Sequence, residues 1–370
     1  MKLTRELLID SLQELVEIET PSGDLESLER GFQTLLDLVL KYTERQAVID
    51  RVDGVPYLYL APMASPSVLI VGHLDTVWPV GTLIEIPFAV RGDIVTGPGV
   101  FDMKAGLIIA LAALANCAVP ANAGLLVTGD EEIGSPTGRL LVEKYAPLAA
   151  AVLVPEPAAP GGGIKNARKG VGLYKCTITG LEAHAGLEPE RGANTTVEMA
   201  ALISDLVGLQ DASVGTTVTP TKAMSGVTAN TVPADAILHV DVRAWTEPEL
   251  TRIDDAVRSR QVHVAGVTVT VSGGINRLPL EEKLTAELVH IAQEIALEAG
   301  MGRVETAAVG GASDGNFCAS VGIPTLDGVG ACGGGAHARD EWVDIDSVGL
   351  RGTWLARIIE RVVQQSAPTI

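Results

Sequence analysis

Short apolar runs recur along the first 156 residues, and each stops at a polar cluster. Val68-Leu69-Ile70-Val71 runs into Gly72-His73-Leu74-Asp75. Leu125-Leu126-Val127-Thr128 runs into Gly129-Asp130-Glu131-Glu132, and Ala151-Val152-Leu153-Val154 into Pro155-Glu156. Bounded apolar runs of this length predict strands buried on both faces, as in a parallel sheet. Stretches of helical period lie between them. Residues 4–18 predict an amphipathic helix that stops before Thr20-Pro21-Ser22-Gly23, a turn rich in helix breakers. A second helix is expected over 25–42. Lys104–Cys117, rich in Ala, Leu and Ile, predicts a helix buried on most sides. Alternating strands and helices predict an α/β fold, a mostly parallel sheet with helices on both faces.

Pro157–Gly163 (Pro-Ala-Ala-Pro-Gly-Gly-Gly) reads as the clearest linker, and the pattern changes after it. Strands are expected at 172–179, 216–224, 236–244 and 267–271, with helices at 195–209 and 248–260. In the third of these strands Ile237, His239, Asp241 and Arg243 alternate with Leu238, Val240 and Val242. The order strand–helix–strand–strand–helix–strand is that of a ferredoxin-like α+β layer. Past Pro279 the first style returns. A helix is expected over 281–299, then the loop Gly310–Asp314 and a helix or turn around Phe317. Strand Thr325–Leu326, a glycine-rich stretch ending at His337 and a helix over 347–365 complete the chain. The expected organisation is one domain of residues 1–166 and 278–370, with residues 167–277 inserted into it.

Length and charge narrow the class. At 370 residues, two domains are the natural expectation. A net charge of −19 argues against nucleic acid or an anionic membrane as partner, since both need a basic surface. No stretch of 18 apolar residues lacks a charge or breaker, so no membrane span is expected. The four cysteines, Cys117, Cys176, Cys318 and Cys332, form no Cys-x-x-Cys pair, and the N-terminus has no signal-peptide core. A reducing, cytoplasmic location is expected.

In open α/β sheets, functional groups collect beyond the carboxyl ends of the strands. Five metal-ligand types stand just past apolar runs: His73, Asp102, Glu132, Glu156 and His337. Two imidazoles and three carboxylates, with Glu131 spare beside Glu132, suffice for two divalent metals and a general base. Each piece alone has a plainer explanation. His73 could be a hydrogen-bonded turn histidine, Asp102 an N-cap, Asp130-Glu131-Glu132 a solvated acidic turn, and His337 an exposed loop residue. Strand alternation points His73 and Asp75 to one side, so Asp75 can accept from the far ring nitrogen of His73. Gly328-Val329-Gly330-Ala331-Cys332-Gly333 matches G-x-G-x-x-G, but no apolar helix opens at its third glycine. Neither a phosphate-binding G-x-x-x-x-G-K-[ST] nor a G-x-S-x-G nucleophile elbow occurs.

Taken in order, the motifs resemble the M20 family of dinuclear zinc peptidases and deacylases, with most similarity to its glutamate carboxypeptidase (carboxypeptidase G2-like) branch. The matching segments are Gly72–Val77, Gly97–Gly99 through Lys104, Thr128–Ser135, Pro155–Pro157, and Ala336-His337 before Glu341. The resemblance implies a zinc-peptidase-type sheet with an inserted ferredoxin-like lid and dimerisation domain. It implies two Zn2+ per chain, with Co2+ or Mn2+ also suited to these ligands. His73 and Glu156 would hold one, His337 and Glu132 the other, and Asp102 both. A cis peptide after Asp102 is implied as well. Glu131, Asp75 and His184 would form the catalytic set, His184 reaching a partner subunit's site to stabilise the oxyanion. Asn230, Arg243 and Gly311 would bind substrate, Arg243 through its carboxylate.

The expected function is hydrolysis of an amide or peptide bond next to a free carboxylate, as a carboxypeptidase with glutamate release as one option. Two metals about 3.5–4 Å apart would activate water, with Glu131 as general base. The alternative on the same scaffold is an N-acyl amino-acid deacylase or desuccinylase, and a more distant one a non-catalytic dimeric binding module. The expected partners are a small peptide or N-acyl amino acid and a second copy of the chain, joined through the inserted domain.

Overall fold

A computed structural model of the chain describes residues 3–366. Residues 1–2 and 367–370, at the ends of the expected outer segments, lie outside the described residues. The chain divides into two compact units. The larger comprises Met1–Ala167, Leu280–Val309 and Ser313–Ile370, the smaller Arg168–Pro279 with Gly310–Ala312.

An eight-stranded sheet organises the larger unit. Its strands, in spatial order, are Val48–Val52, Val55–Leu60, Ala123–Thr128, Val68–His73, Ala151–Val154, Thr325–Asp327, Ile164–Arg168 and Thr306–Val309. The four from Ala123–Thr128 to Thr325–Asp327 run parallel. Val55–Leu60 and Ile164–Arg168 flank them antiparallel. The three apolar runs that predicted double-sided burial are buried at every position. Their carboxyl ends, carrying His73, Gly129 and Pro155, therefore open along one edge of the sheet.

Helices cover the sheet where the periodicity placed them. Arg5–Val16 starts on Thr4, whose side chain accepts from Leu7 N. Leu25–Thr43 starts on Asp24, which accepts from Ser27 N. Ala105–Asn116 is buried from Ala105 through Leu114, as its near-uniform apolar composition demands. One close approach sets its position. A Cβ on Gly106 would lie 1.9 Å from Pro155 O, so only glycine lets the helix start rest on this strand end. Gly106→Ala should cost roughly 3 kcal/mol through overpacking. The check is a melting curve, and an unchanged Tm would mean the strand end yields freely.

The Pro157–Gly163 linker leads into strand Ile164–Arg168 of the large sheet, Ile164 N donating to Glu305 O at 2.8 Å. One expectation is corrected. The helix expected from Glu281 begins at Ala286. Glu282–Leu284 forms a tighter turn first, and the Thr285 hydroxyl donates to Asn166 O and Glu282 O, both at 2.9 Å. A further four-stranded sheet gave no signal in the sequence: Gly333–Gly334, Trp342–Asp344, Ile94–Thr96 and Ala89–Arg91. Its strands are two to three residues long, too short to show a period.

The smaller unit has the expected strand–helix–strand–strand–helix–strand order. Its antiparallel sheet runs Thr217–Ser225, Asp235–Ala244, Gly170–Thr179, Thr268–Arg277. Leu238, Val240 and Val242 are buried against helices Thr195–Val207 and Glu247–Ser259, with Leu202 and Ile253. Ile237, His239, Asp241 and Arg243 point to the other face and are half-buried. Among the described residues, no helix is long and apolar enough to cross a membrane.

Candidate metal centre

The five expected ligands converge at the carboxyl edge of the larger unit's sheet. His73 closes its strand and is buried, 2 % exposed. Its Nε2 lies 3.4 Å from Asp102 Oδ1 and 3.5 Å from Glu156 Oε1, and makes no hydrogen bond among the described residues. Glu156 follows Ala151–Val154, the neighbouring parallel strand. His337 sits on a loop with φ +62° and is half-exposed. Its Nε2 lies 3.5 Å from Asp102 Oδ2 and 3.1 Å from Glu132 Oε2. Asp102 thus stands between two imidazoles, one per carboxylate oxygen. His73, Asp102 and Glu132 form a group whose ligand atoms lie within 4.8 Å of one another.

The electrostatics call for positive charge here. Burial alone would lower the His73 pKa, but its contacts with Asp102, Asp75 and Glu156 raise it well above the usual imidazole value. Contacts with Asp102 and Glu132 push His337 up to about 10. Burial would raise the Asp102 carboxyl, yet the two histidines hold it well below the usual carboxylate range. Burial raises Glu132. A buried imidazole nitrogen without a hydrogen bond among the described residues, facing the carboxylates of Asp102 and Glu156, fits a divalent cation better than it fits neutral protein. The residues present fit the metals the resemblance implied.

Asp75 was expected to accept from the His73 ring. That bond goes to its backbone instead: His73 Nδ1 lies 3.0 Å from Asp75 O and 3.5 Å from the carboxylate. The Asp75 carboxylate holds the acidic turn. It accepts from Glu131 N and Glu132 N, each at 3.1 Å, and from the Ser22 hydroxyl at 2.6 Å. The three consecutive acids have three fates. Asp130 accepts from Thr137 N, Thr137 Oγ1 and Gly138 N, tying the start of helix Gly138–Tyr145. Glu131 is buried, and Glu132 faces His337.

Two supporting side chains, quoted in the matching segments, had no role assigned from the sequence. Glu341 is buried, and its carboxylate accepts four N–H groups. Oε1 takes Phe101 N at 2.8 Å and Asp102 N at 3.0 Å. Oε2 takes Gly99 N at 2.8 Å and Trp78 Nε1 at 3.0 Å. Lys104, 1 % exposed, donates to Leu15 O and Ile18 O at 2.9 and 2.8 Å, and burial lowers its pKa to about 7. Lys104 is a charge between the apolar Met103 and Ala105, whereas Glu341 follows Arg339-Asp340 and carries no such local signal. The peptide Asp102–Met103 is cis, as the resemblance implied. The discounted glycine run has a packing cause: a Cβ on Gly330 would meet Pro155 O at 2.1 Å and Glu156 O at 2.5 Å.

The remaining expected residues belong to the smaller unit. His184 is exposed, and its Nδ1 accepts from Gly186 N at 3.1 Å. Asn230 lies beside it, its carbonyl accepting from Ala185 N at 2.9 Å. Arg243 makes a two-pronged pair with Asp241, both contacts 2.8 Å. Gly311 O accepts from Arg168 Nη1 at 3.1 Å.

Comparison with known proteins identifies the family. The profile of peptidase family M20/M25/M40 matches residues 69–361. Carboxypeptidase G2 from a Pseudomonas species is 30% identical over 371 residues, covering 95% of this chain and 88% of that protein. A succinyl-diaminopimelate desuccinylase from Novosphingobium aromaticivorans is 27% identical over 327 residues, covering 80% of this chain and 79% of that one. An M20 family metallo-carboxypeptidase from Sulfolobus solfataricus superposes with a TM-score of 0.75 at 18% identity, covering 98% of this chain and 100% of that one. Fold, profile and full-length similarity converge: the chain belongs to peptidase family M20/M25/M40 and is a metal-dependent hydrolase of that family.

Proposed function

We propose that the protein cleaves an amide or peptide bond next to a free carboxylate, as a carboxypeptidase. The observation that carries this reading is Asp102, whose two oxygens face His73 and His337 at 3.4 and 3.5 Å. That arrangement supports a pair of divalent ions, Zn2+ first and Co2+ or Mn2+ as substitutes. His73 and Glu156 would hold one, His337 and Glu132 the other, with Asp102 between them. When bound, such cations polarise the scissile carbonyl and acidify water. Glu131 serves as general base. Its carboxylate takes a proton as water adds to the carbonyl carbon, then delivers it to the nitrogen as the C–N bond breaks. Asp75, through Glu131 N, fixes where that carboxylate starts.

In the smaller unit, His184 is assigned to oxyanion stabilisation in a partner subunit's site. Its Nδ1 accepts from Gly186 N, so the ring proton sits on Nε2, ready to donate. Asn230, Arg243 and Gly311 are assigned to substrate, Arg243 exchanging Asp241 for the substrate carboxylate. Homodimerisation through this unit is supported by its strand Thr217–Ser225, which is an edge of its sheet. The four free cysteines support a reducing, cytoplasmic location.

The similarity to a desuccinylase favours one second reading, deacylation of N-acyl amino acids. Purified protein with elemental analysis and a substrate panel separates the two. About two metal ions per chain, and faster turnover of peptides ending in glutamate than of acetyl- or succinyl-amino acids, is the expected result. The reverse preference would establish the deacylase. Hydrolysis of neither class would end both readings.

A further inference from the structure

The loop that bears His337 also bears Glu341, and Glu341 reaches under the segment that bears Asp102. Four donors converge on its carboxylate: Gly99 N, Phe101 N, Asp102 N and Trp78 Nε1, all between 2.8 and 3.0 Å. Three are consecutive-turn backbone groups of the segment 99–102. The side chain is only 1 % exposed. A buried carboxylate has four lone-pair positions, and here each is filled by an N–H. Burial raises its carboxyl pKa, and the backbone hydrogen bonds oppose that rise.

The two ends of the metal centre are built differently. His73 ends a central parallel strand and is buried. Glu156 follows the next strand. Their spacing is set by the sheet. His337 has no such support. It is half-exposed, in the left-handed region at φ +62°, on a short loop closed by Ala338 N to Gly335 O and Glu341 N to Ala338 O. The pairing of Gly333–Gly334 with Trp342–Asp344 anchors the base of that loop, and Trp342–Asp344 pairs with Ile94–Thr96. Besides His337 itself, the Glu341 carboxylate ties this loop to Asp102, through Asp102 N.

We propose that Glu341 is a positioning residue that sets the spacing of His337 and Asp102, and so the affinity of the metal ion at the His337 end. This rests on the two-metal reading above. Glutamine at 341 has the same shape but only one accepting atom. Its NH2 group would face either Phe101 N and Asp102 N or Gly99 N and Trp78 Nε1, donor against donor. The His337 loop then shifts away from Asp102, while Asp102, whose segment runs into the buried helix Ala105–Asn116, keeps its place beside His73 and Glu156.

The test titrates Zn2+ into chelator-stripped protein and reads both equivalents by competition with a chromophoric chelator. Wild type binds two. In Glu341→Gln one equivalent binds as in wild type, and the other is weakened by about 10–100-fold, the usual effect of losing a ligand's supporting hydrogen bonds. Activity returns at high Zn2+ with KM near the wild-type value. A purely structural role would instead lower the Tm of the metal-free protein and leave both affinities alone. Two unchanged affinities, or equal weakening of both, overturns the proposal. Should Glu341→Gln not fold, Glu341→Asp, which keeps the charge but falls one methylene short, is read by the same criteria. Wild type that binds no second ion would sink the two-metal reading itself, a result distinguishable from an unaffected variant.

Discussion

Glu131→Gln lowers kcat/KM by about 10²–10⁴-fold, the range lost with a general base, while two metal ions per chain are retained. That factor corresponds to roughly 3–5.5 kcal/mol of transition-state stabilisation. Glu131 is assigned to proton transfer and the metal ligands are assigned to other residues, so neutralising it is expected to remove no ligand. Its backbone N–H is fixed on Asp75 Oδ1, so the substituted side chain starts from the same place. An isosteric amide changes only the ability to accept a proton. The measurement pairs steady-state kinetics with elemental analysis on one preparation. Wild-type turnover would remove Glu131 from the mechanism. Loss of both activity and metal would make it a ligand instead.

Asp102→Asn has the opposite signature. Asp102 faces both imidazoles, and its charge is what they share. The amide carries no charge and has one accepting atom, so it serves one side at most. Metal content is expected to fall below two per chain, and kcat/KM by on the order of 10³-fold, about 4 kcal/mol. Adding Zn2+ should raise the Tm of wild type far more than that of the variant, because a ligand stabilises only the state that binds it. Two retained ions with full activity would show that Asp102 is not shared. Read together, the two variants separate proton transfer from metal binding at positions 29 residues apart in the chain.

The elements of the larger unit were legible because their signal is local. Val68–Val71, Leu125–Val127 and Ala151–Val154 are apolar without alternation, a pattern that only strands buried on both faces tolerate. Residues directly after such runs must emerge at the sheet's carboxyl edge, which is why His73, Glu132 and Glu156 could be singled out. Asp102 and His337 follow no strand of that sheet, and their pairing with the other three rested on the motif resemblance. The strand–helix–strand–strand–helix–strand order of the smaller unit was likewise readable, from Leu238, Val240 and Val242 alternating with polar positions. The helix start at Ala286 was not, because the Thr285 hydroxyl bonds to a residue 119 positions away.

Sequence alone thus determined the long buried strands, the main helices, and the kinds of side chain that stand at the strand ends, since those follow from local period and chain direction. Tertiary structure alone decided which carboxylate does which work. Asp75 bonds the Glu131–Glu132 turn more than the His73 ring, and Glu341 gathers four donors from residues some 240 or more positions earlier. A carboxylate's role is set by the N–H groups that surround it, and those groups arrive from distant segments that are neighbours only after the chain has folded.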